Sequence, residues 1–181
     1  CSIDQTITQA GLYVQDQLRL GNWIGVAGVR KDWIENEATG NPLQKDDAVT
    51  YRAGLMYEFG FGLTPYVSYG ESFVPVPGTS DSGKSFDPQE GRMYEVGFKY
   101  QPEGANFAIN ASAFDIAEVG RLVYGIGPNP KQIGAVAING MEIEATGKLT
   151  ENLKVIGGYS YTEAEYDDGQ PHSGNQLESI P

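Results

Sequence analysis

The chain has 181 residues, 40% of them hydrophobic, with 24 glycines, 11 tyrosines and a formal net charge of −12. That length suits one domain, and the acidic balance argues against nucleic acid, whose phosphates need a basic surface. No run of even 12 residues is uniformly apolar, which leaves no candidate for a transmembrane helix or a signal peptide within the sequence.

Eight strands are predicted in chain order. The first runs from about Gln9 to Leu20, with Leu12, Val14, Leu18 and Leu20 on one face, Tyr13, Gln15, Gln17 and Arg19 on the other, and Asp16 interrupting the apolar side. The second covers about Trp23 to Ile34. The third, Thr50 to Phe59, is the clearest: Tyr51, Ala53, Leu55, Tyr57 and Phe59 alternate with Thr50, Arg52, Gly54, Met56 and Glu58, the period-two pattern of a half-covered strand. The fourth spans Leu63 to Phe73, with Pro65 near its start, where a missing donor is best tolerated. In the fifth, Tyr94, Val96, Phe98 and Tyr100 oppose Glu95, Gly97, Lys99 and Gln101, a polar side too charged for a dry core. The sixth opens at Phe107 and alternates through Ala113. The seventh runs from about Ala135 to Lys148. Its Asn139-Gly140 reads locally as a hairpin turn, but Met141, Ile143 and Ala145 alternate with Glu142, Glu144 and Thr146 directly after it, so one long strand with a bulge near Gly140 is the preferred reading. The eighth covers Leu153 to Thr162.

The connections alternate in length. Gly21-Asn22, Gly60-Phe61-Gly62, Pro102-Glu103-Gly104 and Thr150-Glu151-Asn152 are short, whereas those near 35 to 47, 74 to 90 and 117 to 134 are long, and another long stretch opens at 166. An antiparallel meander places every second connection at the same end, so the short turns share one rim and the long loops the other. The stretches 35 to 47, 74 to 90, 117 to 134 and 163 to 181 carry −3, −2, +1 and −5, nine of the twelve net negative charges; the long-loop rim is therefore the acidic one, as solvated loops or as a surface that steers cations. Runs of roughly 10 to 14 residues suffice for a tilted strand to cross a bilayer, whereas soluble strands average about five or six. Tyr and Trp gather towards the strand ends, as at a membrane interface. The fold class is all-β: an up-and-down antiparallel meander of about eight long strands, part of a transmembrane barrel. Residues 1 to 8 read as a start or linker, 9 to 166 as barrel wall, and 167 to 181 as an external loop or end.

Few residues offer chemistry. Gly78 to Ser85 matches the phosphate-loop pattern letter for letter, but Val74-Pro75-Val76-Pro77 before it and Phe86-Asp87-Pro88 after it supply neither the buried strand nor the helix that the mechanism needs; it reads as an external loop. Glu163, Glu165 and Asp167 share one strand face beside Asp168, a set that could hold calcium but reads first as a solvated strand end. His172 is the lone histidine, so neither a histidine metal site nor a Ser/His/Asp triad can be built, and no enzyme is expected. Cys1 is the lone cysteine: no internal disulfide can form, and a lipid-modified terminus is the minor reading. Asn110-Ala111-Ser112 matches a glycosylation sequon, but it lies inside a predicted strand of the barrel wall and carries no meaning there. Glu95, Lys99, Arg52, Glu142 and Glu144 are expected to face the lumen.

The segments GLYVQDQLRL (11 to 20), LTPYVSYGESF (63 to 73), YEVGFKYQPEG (94 to 104) and GMEIEATGKLTENLKVIGGYSYTEAEY (140 to 166) closely resemble the barrel of TonB-dependent ferric-siderophore receptors, in particular the ferrichrome-receptor branch. The resemblance spans about residues 9 to 170. It implies a bacterial outer-membrane location and a 22-stranded barrel closed inside by an N-terminal plug, with import driven through TonB. The transported ligand would be a ferric siderophore of hydroxamate type, no covalent cofactor is expected, and the implied partners are the ferric chelate, outer-membrane lipid and, through a plug segment that this sequence lacks, TonB. The family's ligand contacts come from plug apices and external loops, which makes the aromatics of the long-loop side, Phe73, Phe86 and Tyr124, the candidate ligand contacts. A sequence with about eight strands looks like an internal piece of such a wall. The alternatives are a small self-contained eight-stranded structural or adhesive membrane barrel and a soluble lipocalin-like binder, the latter requiring the apolar faces to point inward.

Overall fold

A computed structural model describes residues 5–38, 43–80, 84–123, 131–132 and 135–166. Its main sheet contains β1 (Gln5–Leu20), β2 (Trp23–Ala38), β3 (Gln44–Tyr57), β4 (Leu63–Val74), β5 (Gln89–Tyr100), β6 (Phe107–Val119), β9 (Ala135–Thr150) and β10 (Leu153–Tyr166), while β7 (Leu122–Val123) and β8 (Lys131–Gln132) form a separate two-residue ribbon. The order in the sheet is β1-β2-β3-β4-β5-β6-β9-β10, antiparallel at every step. Among the described residues β1 and β10 do not pair with each other, so the sheet is open and forms neither a closed eight-stranded barrel nor a lipocalin-like one.

One row of register partners crosses all eight strands as Leu18, Gly25, Leu55, Val67, Val96, Ala113, Met141 and Tyr161. The next row reads Arg19, Ile24, Met56, Tyr66, Gly97, Ser112, Glu142 and Ser160. Because side chains alternate across a strand, the first row lies on an apolar face and the second on a polar one. The apolar face is uncovered: Leu18, Val67, Val96 and Met141 are all more than half exposed, and the buried hydrophobic residues are six, Ile24, Ile34, Val76, Phe86, Val136 and Ala164, among those described. A sheet with so little core of its own needs another phase against that face, as the outward face of a membrane barrel does.

The apolar stretch also slides along the register. On β1 it runs from Leu12 to Leu20, placing Leu18 near its short-turn end; on β10 it runs from Val155 to Tyr161, which tops it, with Glu163 the next residue on that face. A row of partners lies perpendicular to the strands, so a belt that drifts along the rows is oblique to them, the tilt that strands of a membrane barrel have.

Several details differ from expectation. β2 and β3 continue to Ala38 and back to Gln44, through residues predicted as loop; apolar alternation stops at Ile34, but the ion pair Glu35–Lys45 bridges the two strands beyond it, and Lys31–Asp47 bridges them just below it. β1 likewise begins at Gln5. Finally, β9 passes through Gly140 in unbroken register with both neighbours, and the irregularity lies at Leu153/Lys154 instead. Gly140 is a close-packing position: a Cβ there would sit 2.7 Å from Cζ of Phe114 and 2.4 Å from the Tyr161 carbonyl oxygen.

Candidate ligand-facing surface at the long-loop rim

At the short-turn rim, chain reversal is closed by the backbone. Phe59 N–H donates to Leu63 O, Gly62 N–H to Phe59 O, and Gln101 N–H to Gly62 O. Trp23, Tyr57, Phe59 and Phe61 stack in succession with ring centroids 4.8, 4.7 and 5.3 Å apart, an aromatic edge suited to the membrane interface. On the polar face Arg19 donates to both carboxylate oxygens of Glu58, at 2.6 and 3.4 Å, and the guanidinium holds the Glu58 carboxyl below its ordinary range.

The polar face carries every residue expected there. Arg52, Glu95, Lys99, Glu142 and Glu144 alternate with the apolar row on β3, β5 and β9. Higher on the same face Arg30 donates to both oxygens of Asp32, at 2.6 and 2.7 Å, and Gln9 Nε2 donates to Asp32 Oδ1 at 3.0 Å. Sequence reasoning missed this group, although the alternation Gly28, Arg30, Asp32, Ile34, Asn36 marks the face.

Above it the connection between β4 and β5 folds back over the polar face. Gln44, itself buried, donates through Nε2 to Phe86 O at 3.1 Å, to Val76 O at 3.5 Å and to Asp46 Oδ2 at 2.9 Å. Val76 and Phe86 are each 6% exposed and Ile34 1%. The connection is internally tied by Phe86 N–H to Gly78 O, by Ser80 N–H to Lys84 O, and by a bridge between Thr79 and Ser85. From Ser85 the chain passes through Phe86, Asp87 and Pro88 into β5, so the phosphate-loop look-alike opens no helix. On its far side Gln132 Nε2 donates to Asp87 O at 2.6 Å and Gly120 O at 2.7 Å, while its Oε1 accepts from Asp87 N–H at 3.2 Å. Asp46 lies above the apolar belt; burial pushes its carboxyl up, against the hydrogen bond from Gln44, and Asp87 and Asp47 push it the same way as burial.

On the other face a cleft of about 680 Å³ opens where β3 and β4 part. Their pairing ends at Arg52 and Gly70. Beyond it Glu71 fills the seam, accepting from Tyr51 N–H and Tyr69 O–H.

The three candidate ligand contacts are not brought together. Phe73 is half-buried beside that cleft, on the face that continues Val67, Tyr69 and Glu71. Phe86 is buried against the polar side, and Tyr124 lies outside the described residues. Glu163 and Glu165 flank buried Ala164 on β10, while Asp167, Asp168, His172 and Cys1 also lie outside the described residues.

Comparison with known proteins agrees with this architecture. The chain is 34% identical over 96% of its length to the ferrichrome outer membrane transporter/phage receptor of Escherichia coli K12 and 32% identical over 88% to the ferrioxamine receptor of Yersinia enterocolitica, spanning 24% and 23% of those proteins. It thus spans about a quarter of the length of each of these two relatives. Among solved structures, the ferripyoverdine receptor of Pseudomonas aeruginosa superimposes with a TM-score of 0.82 over 97% of this chain and 24% of its own, at 22% identity. Residues 2–181 match the family described as TonB dependent receptor-like, beta-barrel. The chain belongs to the TonB-dependent receptor-like β-barrel family, whose members are outer-membrane proteins.

Proposed function

We propose that this chain is wall of an outer-membrane receptor that imports ferric siderophores of hydroxamate type, taking the chelate from the long-loop side and releasing it past the short turns. The observation that carries the reading is the two-sided wall: an uncovered apolar face for lipid and a face lined by Arg52, Glu95, Lys99 and Glu142 for an aqueous interior. The names of the ferrichrome and ferrioxamine relatives give the ligand class. It is a transporter's role and not an enzyme's. Energy would come from TonB through a plug, with the 9 to 166 region acting as wall. Phe73, Phe86 and Tyr124 remain the aromatic contacts of this proposal, on the conditions that the chelate meets Phe73 over the top of the rim, since that ring lies on the outward face, and meets Phe86 only when the β4–β5 connection lifts. Uptake of radiolabelled ferric iron by cells that depend on this protein tests the reading. Iron delivered as ferrichrome or ferrioxamine B should accumulate only when the protein and TonB are both present. Equal uptake without the protein would overturn it.

A further inference from the structure

The connection between β4 and β5 is anchored by side chains from two places that are far apart in sequence. Gln44 belongs to β3 and grips the two ends of the tied segment, Val76 O and Phe86 O. Gln132 belongs to the β7–β8 ribbon and pairs with Asp87 in both directions, as another backbone would. Both amides bind main-chain groups, so they hold the connection whatever side chains it carries. The ribbon side is built for this contact. Gly120, at φ +80°, brings its carbonyl to Gln132, and a Cβ on it would lie 2.6 Å from Pro88 O and 3.1 Å from Gln132 Nε2, leaving glycine as the residue that fits.

We propose that Gln44 and Gln132 are positioning residues: two amide clamps that hold the 75–80 and 84–88 parts of the β4–β5 connection down on the polar face at the long-loop rim and so set the aperture through which a ferric chelate enters. This rests on the receptor reading above. The clamps act on where the connection lies, and their effect is on discrimination between chelates of different size.

The test uses the protein purified in detergent and three variants. Gln44→Glu and Gln132→Glu keep shape and acceptors but lose every donated bond, and Gln44→Glu also sets a second carboxylate beside Asp46. Gln44→Lys keeps donors. Hydrogen exchange at Phe86 and Asp87 should accelerate at least about tenfold in both Glu variants, the loss expected when about 1.4 kcal/mol of anchoring goes, and stay near wild type in Gln44→Lys, with the β5 amides from Val96 to Tyr100 unchanged. Gln132 lies outside the main sheet, so its variant decides the matter if Gln44→Glu disturbs β3. The ratio of Kd values for ferrichrome and ferrioxamine B should move towards one in the Glu variants, whereas a merely loosened barrel would weaken both alike. Unchanged exchange in both Glu variants, or equal losses for the two chelates, overturns the proposal. Should the wild type bind neither chelate, the receptor reading falls and the exchange result alone decides the clamps.

Discussion

The two rims of this wall are held by different chemistry. At the short-turn rim the backbone closes its own reversals, and a row of stacked aromatics finishes the edge. At the long-loop rim the strands outrun the apolar belt, β3 and β4 separate, and the connection between β4 and β5 is fastened by two glutamine side chains and a few buried apolar groups. A backbone-closed turn has few ways to change, while a clamped connection can be exchanged or released by altering one or two side chains. Variation is therefore expected at the clamped rim, which is where the proposed ligand handling is placed, and the short-turn rim serves as foundation.

The largest effect should come from breaking the belt on which both rims stand. Val96→Arg puts a cation on the apolar face near the middle of the belt and is expected to cost about 2–4 kcal/mol of folding free energy in lipid, measured by denaturant titration in vesicles. Ser68→Arg, one position off that row and on the polar face, should cost far less. Equal losses would mean that the two faces do not meet different phases, and a larger loss for Ser68→Arg that the faces are reversed.

Gly140→Leu comes next. Phe114 lies over Gly140 in an unbroken strand, so the added side chain should overpack it by about 1–3 kcal/mol, seen in the same titration. A neutral result would favour the hairpin reading of Asn139-Gly140 and cut β9 in two.

Asp46→Asn sharpens the account of the long-loop rim with a smaller change. The Asp46 carboxyl is pushed up mainly by burial. A raised carboxyl favours the folded arrangement fully below its unfolded pKa and loses that contribution as pH rises through the folded one. Protection factors in 75–80 and 84–88 should therefore fall as pH rises through that range in the wild type, with Asp47 and Asp87 contributing like charge and Gln44 opposing it. In the Asn variant they should stay higher at neutral pH and change little through that range.

The smallest effect belongs to the short-turn rim. Glu58 is held below its ordinary range by Arg19, so its contribution is complete above the usual carboxylate range and is lost as pH falls through the lowered value. Both partners are about half exposed, so salt screens the pair. Glu58→Gln should flatten the acid limb of stability against pH slightly and leave the β4–β5 connection unaffected.

Much of the wall was legible because its information is local. Period-two alternation in Thr50 to Phe59 and Tyr94 to Gln101 fixes which face each residue joins, and a short turn fixes the register of the strand that follows. Where local signals failed, a distant partner had replaced them. Asn139-Gly140 resembles a turn until Phe114 is seen above it. Residues 35 to 38 and 44 to 47 lack apolar alternation, and ion pairs between strands extend β2 and β3 instead. Phe86 had the composition of an exposed loop aromatic, but bonds to residues 42 and 45 positions from their partners bury it beneath the rim.

By itself, then, the sequence determined the strand pattern, the apolar and polar faces, the short and long rims and the family, since each follows from neighbours within a few residues. Only the tertiary structure decided that the sheet stays open, that β3 and β4 part above Arg52 and Gly70, and that the β4–β5 connection is clamped by Gln44 and Gln132. Those outcomes depend on side chains meeting backbone across long stretches of chain, and no local periodicity encodes such meetings.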